Sequence, residues 1–288
     1  MVSMANVLST EKRAAVVSAL VEGCSIRSTV RMTGVAKNTI AKLSLELGAA
    51  CARYQDEALR ELSCKRLEID EIWGFCYAKQ KNVPEGKAGV FGYGDVWTFI
   101  GIDADTKLCP SFLVGSRDTG TAIAFCQDLA GRCAEERIQI TTDGLAVYLP
   151  AVEEGFGGRA DYAMLQKIYA SPAVEGQKRY SPPECIGCKR LVIQGRPEGD
   201  LVSTSYIERQ NLTVRMSMRR FTRLTNAFSK KVENLAAAVA IHFMHYNFCR
   251  PHMSLKGKTP AQAAGVTSRR WTVEDMIRLL GEGGNPRS

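Results

Sequence analysis

At 288 residues, with 45% hydrophobic and 24% charged side chains, the chain is long enough for a sizeable core plus an accessory module, and its balance excludes a disordered or fibrous protein. The formal net charge of +8 favours a polyanionic partner, though charge alone does not choose among DNA, RNA and acidic membranes. The N-terminal run Met1 to Arg13 lacks the apolar core of a secretory signal, and the apolar stretch Leu235 to Met244 is too short to span a bilayer. The expectation is therefore a non-membrane protein in a reducing compartment, where its ten cysteines act as small hydrophobes. Cys185 and Cys188 form a CxxC, half of a zinc site with no second pair to complete it, so zinc is not expected.

Residues 9 to 20 open on a capping serine and carry apolar residues at helical spacing. Ser25 to Met32 and Ala36 to Leu47 read as two further helices around a Gly34-containing turn, the spacing of a helix-turn-helix. On that reading Lys37, Asn38, Thr39 and Lys42 face bases and phosphates; the alternative is a small bundle used for packing or dimerisation. Residues 1–50 are thus expected to form an all-α DNA-binding domain, with 51–66 as a linking helix.

The period then changes. Leu67 to Tyr77, Val96 to Ile102 and Leu108 to Val114 are short β-rich runs, followed by a helix over Thr119 to Cys133 and a strand over Arg137 to Thr142. Three strands, a helix and a strand are how a ribonuclease-H-like fold begins, an order also compatible with many other α+β domains; the expected catalytic domain over 67–250 is α+β (or α/β), a mixed sheet flanked by helices. Gly and Pro crowd residues 151–200, which read as an insertion with strand-like runs at Tyr162 to Tyr169 and Lys189 to Ile193. Helices are expected from Tyr206 to about Arg220 and from Ser229 to His245 or Asn247, with short helices at 259–263 and 272–280 in a tail over 251–288.

Asp70 lies inside an apolar strand, where a carboxylate is costly unless a cation compensates it. Asp143 ends another strand and Glu208 sits on the first turn of a helix. Three such acids suit two Mg²⁺ or Mn²⁺ ions and two-ion phosphoryl transfer, but Glu68, Glu71, Asp103 and Asp105 are rival ligands. From Arg209 to Lys231 the chain carries Arg209, Arg215, Arg219, Arg220, Arg223, Lys230 and Lys231 and no acid, which favours a polyanion contact over a solvated face. At helical spacing Glu208, Asn211 and Arg215 share a face, so the helix that offers a metal ligand is also expected to offer DNA the Asn211 amide and the Arg215 guanidinium. His242, His245, Cys249 and His252 crowd one helix end, with core or surface roles preferred to a metal site.

The run Ser203 to Arg215, its continuation Arg219 to Lys231, Tyr246-Asn247-Phe248-Cys249-Arg250-Pro251-His252 and Lys258-Thr259-Pro260-Ala261 resemble the region around the third acid of insertion-sequence-one family transposases. Ile69-Asp70-Glu71-Ile72-Trp73 and Thr142-Asp143-Gly144 resemble the positions of the first two acids, so the likeness spans about 65–265. The resemblance implies a prokaryotic, cytoplasmic, nucleoid-associated recombinase with Asp70, Asp143 and Glu208 as its metal-binding triad. It implies binding of double-stranded DNA at terminal inverted repeats, 3′-end cleavage by water and transesterification into target DNA, without a covalent protein intermediate. A homo-oligomer and no small-molecule substrate are expected with it. The N-terminal zinc-binding cysteine cluster of some relatives has no counterpart in this sequence.

Overall fold

A computed structural model describes residues 8–169, 185–222 and 226–281. Helix α1 (Thr10–Val21) starts where Ser9 Oγ accepts the Lys12 N–H, and α2 (Ile26–Thr33) where Ser25 Oγ accepts the Ser28 N–H. Gly34, at φ +70°, ends α2 in the left-handed conformation that glycine adopts without strain. After Val35 and Ala36 comes α3 (Lys37–Ala58). The sequence reading ended this helix before Gly48 and began a second at Cys51; α3 instead runs through both. Gly48 is there for contact rather than termination. A Cβ at Gly48 would stand 2.5 Å from Ala237 Cα, so the glycine lets α3 cross α7 (Val232–Met244) at close range.

The six-stranded mixed sheet has the order β3-β2-β1-β4-β5-β6. Its strands are β1 (Arg66–Cys76), β2 (Gly94–Asp103), β3 (Phe112–Gly115), β4 (Ile138–Thr142), β5 (Ala160–Tyr169) and β6 (Cys185–Gln194). β1, β2 and β3 form the expected antiparallel meander, β4 runs parallel to β1, β5 parallel to β4, and β6 antiparallel to β5. This mixed sheet flanked by helices is compatible with a ribonuclease-H-like fold. The third strand is shorter than its apolar run because buried Asn247 takes up the Cys109 N–H at 3.0 Å and its carbonyl at 2.9 Å, replacing ladder partners there.

In its described parts, the stretch read as an insertion adds strands to this same sheet. Tyr162, Ala163 and Met164 of β5 are buried against β4, which parallel pairing requires on both faces. Helix α5 (Tyr148–Phe156), absent from the sequence reading, buries Tyr148, Ala151, Val152 and Phe156. Its signal was that i, i+3, i+4, i+8 spacing, obscured by Pro150, which a first helical turn tolerates, and by Gly155.

Strand alternation divides the packing. Ile69 and Phe99 share a core with Phe125 of α4 (Thr119–Ala130) and Tyr148 of α5. Ile72 and Ile100 face Ile207 and Val214 of α6 (Ser205–Ser217) and Leu235, Val239 and Phe243 of α7. Val17 of α1 and Ile40 and Leu47 of α3 belong to the first of these cores, so it continues across the expected boundary at residue 50. The tail forms α8 (Pro260–Ala263) and α9 (Val273–Arg278), each opened by a capping box from Thr259 or Thr272. No helix among the described residues is long and apolar enough to cross a membrane.

Candidate active site

The parallel pairing of β1 and β4 builds the site. Ile69 is paired with Thr142, so the next residues, Asp70 and Asp143, come side by side at the carboxyl end of β4. One carboxylate oxygen from each of Asp70, Glu71 and Asp143 lies within 4.8 Å of the others. Three acids this close repel one another unless a proton or a cation intervenes. Burial, followed by the charges of Glu71, Asp143 and Glu208, pushes Asp70 up to about 7.

The three acids differ in what else holds them. Both Glu71 oxygens are engaged: Arg117 Nε and Nη2 donate to Oε1 at 2.9 and 2.7 Å, and the buried Tyr148 hydroxyl donates to Oε2 at 2.7 Å. Asp143 accepts the Leu145 N–H at 2.9 Å, which closes the turn after β4. Asp70 accepts its neighbour's N–H from Glu71 at 2.8 Å and the Asn211 amide at 2.7 Å. Glu71 thus accepts three of these bonds, Asp70 two and Asp143 one, which leaves Asp143 and then Asp70 the most lone pairs for a ligand. An all-oxygen donor set whose charge is unfavourable on its own fits a hard divalent cation such as Mg²⁺ or Mn²⁺.

Glu208 stands apart from that cluster. It lies on the first turn of α6, accepts the Thr204 hydroxyl at 2.6 Å and pairs with Lys167 Nζ of β5 at 2.5 Å. Its charge still reaches Asp70, and Asn211, one turn further along α6, touches Asp70 directly. The structure thus brings together two of the three expected acids, with Glu71 as the third member of the cluster, and holds Glu208 outside it on a lysine.

The rival carboxylates have other work. Glu68 accepts the N–H groups of Tyr206 and Ile207 at 2.8 and 2.9 Å and caps α6 from across the sheet, since Thr204 makes no side-chain cap. Burial nevertheless pushes Glu68 up to about 7. Asp103, opposite Leu67 in register, closes a turn through the Thr106 N–H at 3.0 Å, and Asp105 pairs with Arg66.

Among the expected DNA contacts, Lys37, Asn38, Thr39 and Lys42 are exposed on the first turns of α3, with Lys42 3.7 Å from Glu46. Arg209, Arg219, Lys230 and Lys231 are exposed, and Arg215 is half-buried. Two expectations are corrected. Asn211 is buried and spends its amide on Asp70, not on an outside partner. Arg220 turns inward, where its guanidinium bonds Ser229 Oγ at 2.5 Å and burial lowers its pKa. Helix α6 also ends at Ser217, so Arg219 and Arg220 sit on a following 3₁₀ turn rather than in the helix expected to run to about Arg220. Arg223 lies outside the described residues.

The histidines do not converge. His242 is buried, and burial pushes it down to about 3; Cys249 donates to the Thr272 carbonyl, and His252 meets Ser254 Oγ at 2.9 Å. Sequence reasoning missed Arg117, Tyr148 and Lys167. Only Tyr148 had a signal, the apolar spacing of α5, because Arg117 sits in a loop and Lys167 in the stretch set aside for its glycines and prolines.

No family model matches the chain, and a search of curated proteins finds no match. Among solved structures the chain is similar to a piggyBac transposase, in a cryo-EM synaptic complex with hairpin DNA. That similarity has 12% sequence identity and a TM-score of 0.38, covering 97% of this chain and 73% of the other. At that distance it states a partial likeness of shape and nothing more.

Proposed function

We propose that the chain is a metal-dependent DNA transposase of the insertion-sequence-one type. The observation that carries this reading is that Asp70 and Asp143 lie on adjacent parallel strands with Asn211 of α6 bonded to Asp70; Glu208, on the same helix, is paired with Lys167 and its charge reaches Asp70. Asp70, Asp143 and Glu208 are the residues that would hold two Mg²⁺ or Mn²⁺ ions. Bound there, such ions supply an activated nucleophile and charge stabilisation at the leaving oxygen of a phosphodiester.

The protein's own groups support that chemistry. Arg117 and Tyr148 donate to Glu71 beside Asp70 and oppose the burial that raises its pKa, so that a third carboxylate stands where a cation is required. Asn211 fixes the Asp70 carboxylate from α6. Lys167 neutralises Glu208, and on release it has the length and charge to meet a DNA phosphate. Arg209, Arg219, Lys230 and Lys231 supply exposed positive charge along the DNA, and the α2–α3 pair, with Lys37, Asn38, Thr39 and Lys42, reads the element's ends as a helix-turn-helix. Cleavage at the 3′ ends by water, then attack of the freed 3′-hydroxyl on target DNA, uses one site for both steps. A homo-oligomer that pairs two ends follows from the same reading.

With Mg²⁺ or Mn²⁺, purified protein is expected to nick and then join oligonucleotides that end in the inverted repeats flanking its gene. The Asp143→Asn and Glu208→Gln variants are expected to do neither. Cutting without joining would indicate a nuclease, and full joining by Asp143→Asn would refute the assigned roles.

A further inference from the structure

A row of aromatic rings leads away from the carboxylates along one face of the sheet. Glu71, Trp73 and Phe75 alternate onto the same face of β1, and Trp97 of β2 pairs directly with Trp73. Arg117, which holds Glu71, also lies over Trp97, 4.4 Å from the ring. The Trp73 and Phe75 rings are 5.7 Å apart, and Phe228 packs on Phe75 at 4.8 Å. Lys230 sits 4.5 Å from the Phe228 ring, and Lys87 is 4.3 Å from Tyr77 and 4.5 Å from Tyr93.

We infer that this aromatic and cationic strip binds unpaired DNA bases next to the scissile phosphate, so that the enzyme takes a strand that is locally unpaired at the cut. The geometry of the inference rests on the proposed cleavage site, since the strip begins at Glu71. Residues two apart on a strand repeat about every 6.6–6.8 Å, roughly twice the 3.4 Å rise per nucleotide along one duplex strand. The 5.7 Å between the Trp73 and Phe75 rings likewise exceeds the stacking step, and since Phe75 is buried under Phe228, the rings open to a base are those of Trp73, Trp97 and Phe228. Trp73 and Trp97 are half-buried, so each retains exposed surface, and the cations beside the rings suit the phosphates between the bases. Pinning of the loop between β1 and β2 accounts for Lys87 over Tyr77 and Tyr93. It does not account for Arg117 over Trp97 or Lys230 over Phe228, which belong to other segments.

The test is a binding measurement in EDTA, where no cleavage occurs. A blunt duplex is compared with the same duplex carrying a short 3′ overhang with 2-aminopurine in it. Wild-type protein is expected to bind the overhang duplex about 10-fold or more tightly and to quench the 2-aminopurine. Trp97→Ala and Phe228→Ala are expected to lose that preference while keeping blunt-duplex affinity. Trp73→Leu and Trp97→Leu, which keep apolar bulk but not the ring face, are expected to do the same. Equal wild-type affinity for the two duplexes, or an unchanged preference in folded variants, would overturn the inference. Should the variants not fold, the wild-type comparison and the quenching decide it alone. Overhang preference without metal-dependent nicking refutes only the cleavage reading, and nicking with equal affinities refutes only the strip.

Discussion

Replacing Asp70 with Asn is expected to abolish strand cleavage, by about 10³-fold or more, while making the metal-free protein more stable at about pH 8. The two effects have one cause. Asp70 is raised from 3.8 to about 7 by burial and by Glu71, Asp143 and Glu208, so its ionised form is disfavoured in the folded chain. A group raised in this way contributes stability fully below its unfolded value, near pH 4, and loses it as pH rises through about 7. At about pH 8 the wild-type protein carries this cost and the Asn variant does not. The ceiling is about 4 kcal/mol, which for a chain of this size corresponds to several degrees in melting temperature. Asn also keeps the site's hydrogen bonding. Its carbonyl can still accept an N–H, and its amide can donate to Asn211 Oδ1, which is buried without a partner. Thermal melts with EDTA measure the stability and a nicking assay the activity. A variant that melts below wild type at pH 8 would contradict the view that Asp70 sits in a site strained by its own charge.

Divalent-metal binding is expected to be about 10-fold weaker at about pH 6 than at about pH 8, and to release close to one proton at the lower pH. The ion needs Asp70 ionised, and a group raised to about 7 is mostly protonated at pH 6. Above about 8 the proton no longer competes and the affinity levels off. Glu68 is raised to a similar value by its burial, but its oxygens cap α6, so its titration adds to the pH dependence of folding rather than to that of the ion. Calorimetric titration with Mn²⁺ at the two pH values, in two buffers of different ionisation enthalpy, reads both affinity and proton release. Equal affinity at the two pH values would mean that Asp70 is not a ligand.

How much of this was visible in the amino-acid sequence differs from residue to residue. Asp70 was visible because a carboxylate inside an apolar strand is a local anomaly, and Asp143 because it ends a strand at a junction where sites tend to be built. Their adjacency was not, because parallel pairing of β1 with β4 is a long-range event with no local trace. Glu208 stood out from its acid-free basic surroundings, yet those surroundings could not show that Lys167, far away in sequence, would engage it. Asn211 was assigned to DNA from helical spacing and Arg220 from its acid-free basic run, but neither spacing nor charge says what packs against a side chain. α6 lies on β1, which turns Asn211 to Asp70, and it ends at Ser217, which leaves Arg220 free to point inward. Gly48 misled for a related reason: glycine ends many helices, but it also lets two helices touch, and only the position of α7 decides between these uses.

The central claim is that Asp70 and Asp143 form the two fixed ligands of a divalent-metal site. Crystals grown with Mn²⁺ at about pH 8 test it through anomalous scattering. The expected result is an anomalous peak in coordination contact with both carboxylates, with Lys167 withdrawn from Glu208. No peak at these oxygens in crystals saturated with Mn²⁺, or a peak bound by other residues alone, would contradict it.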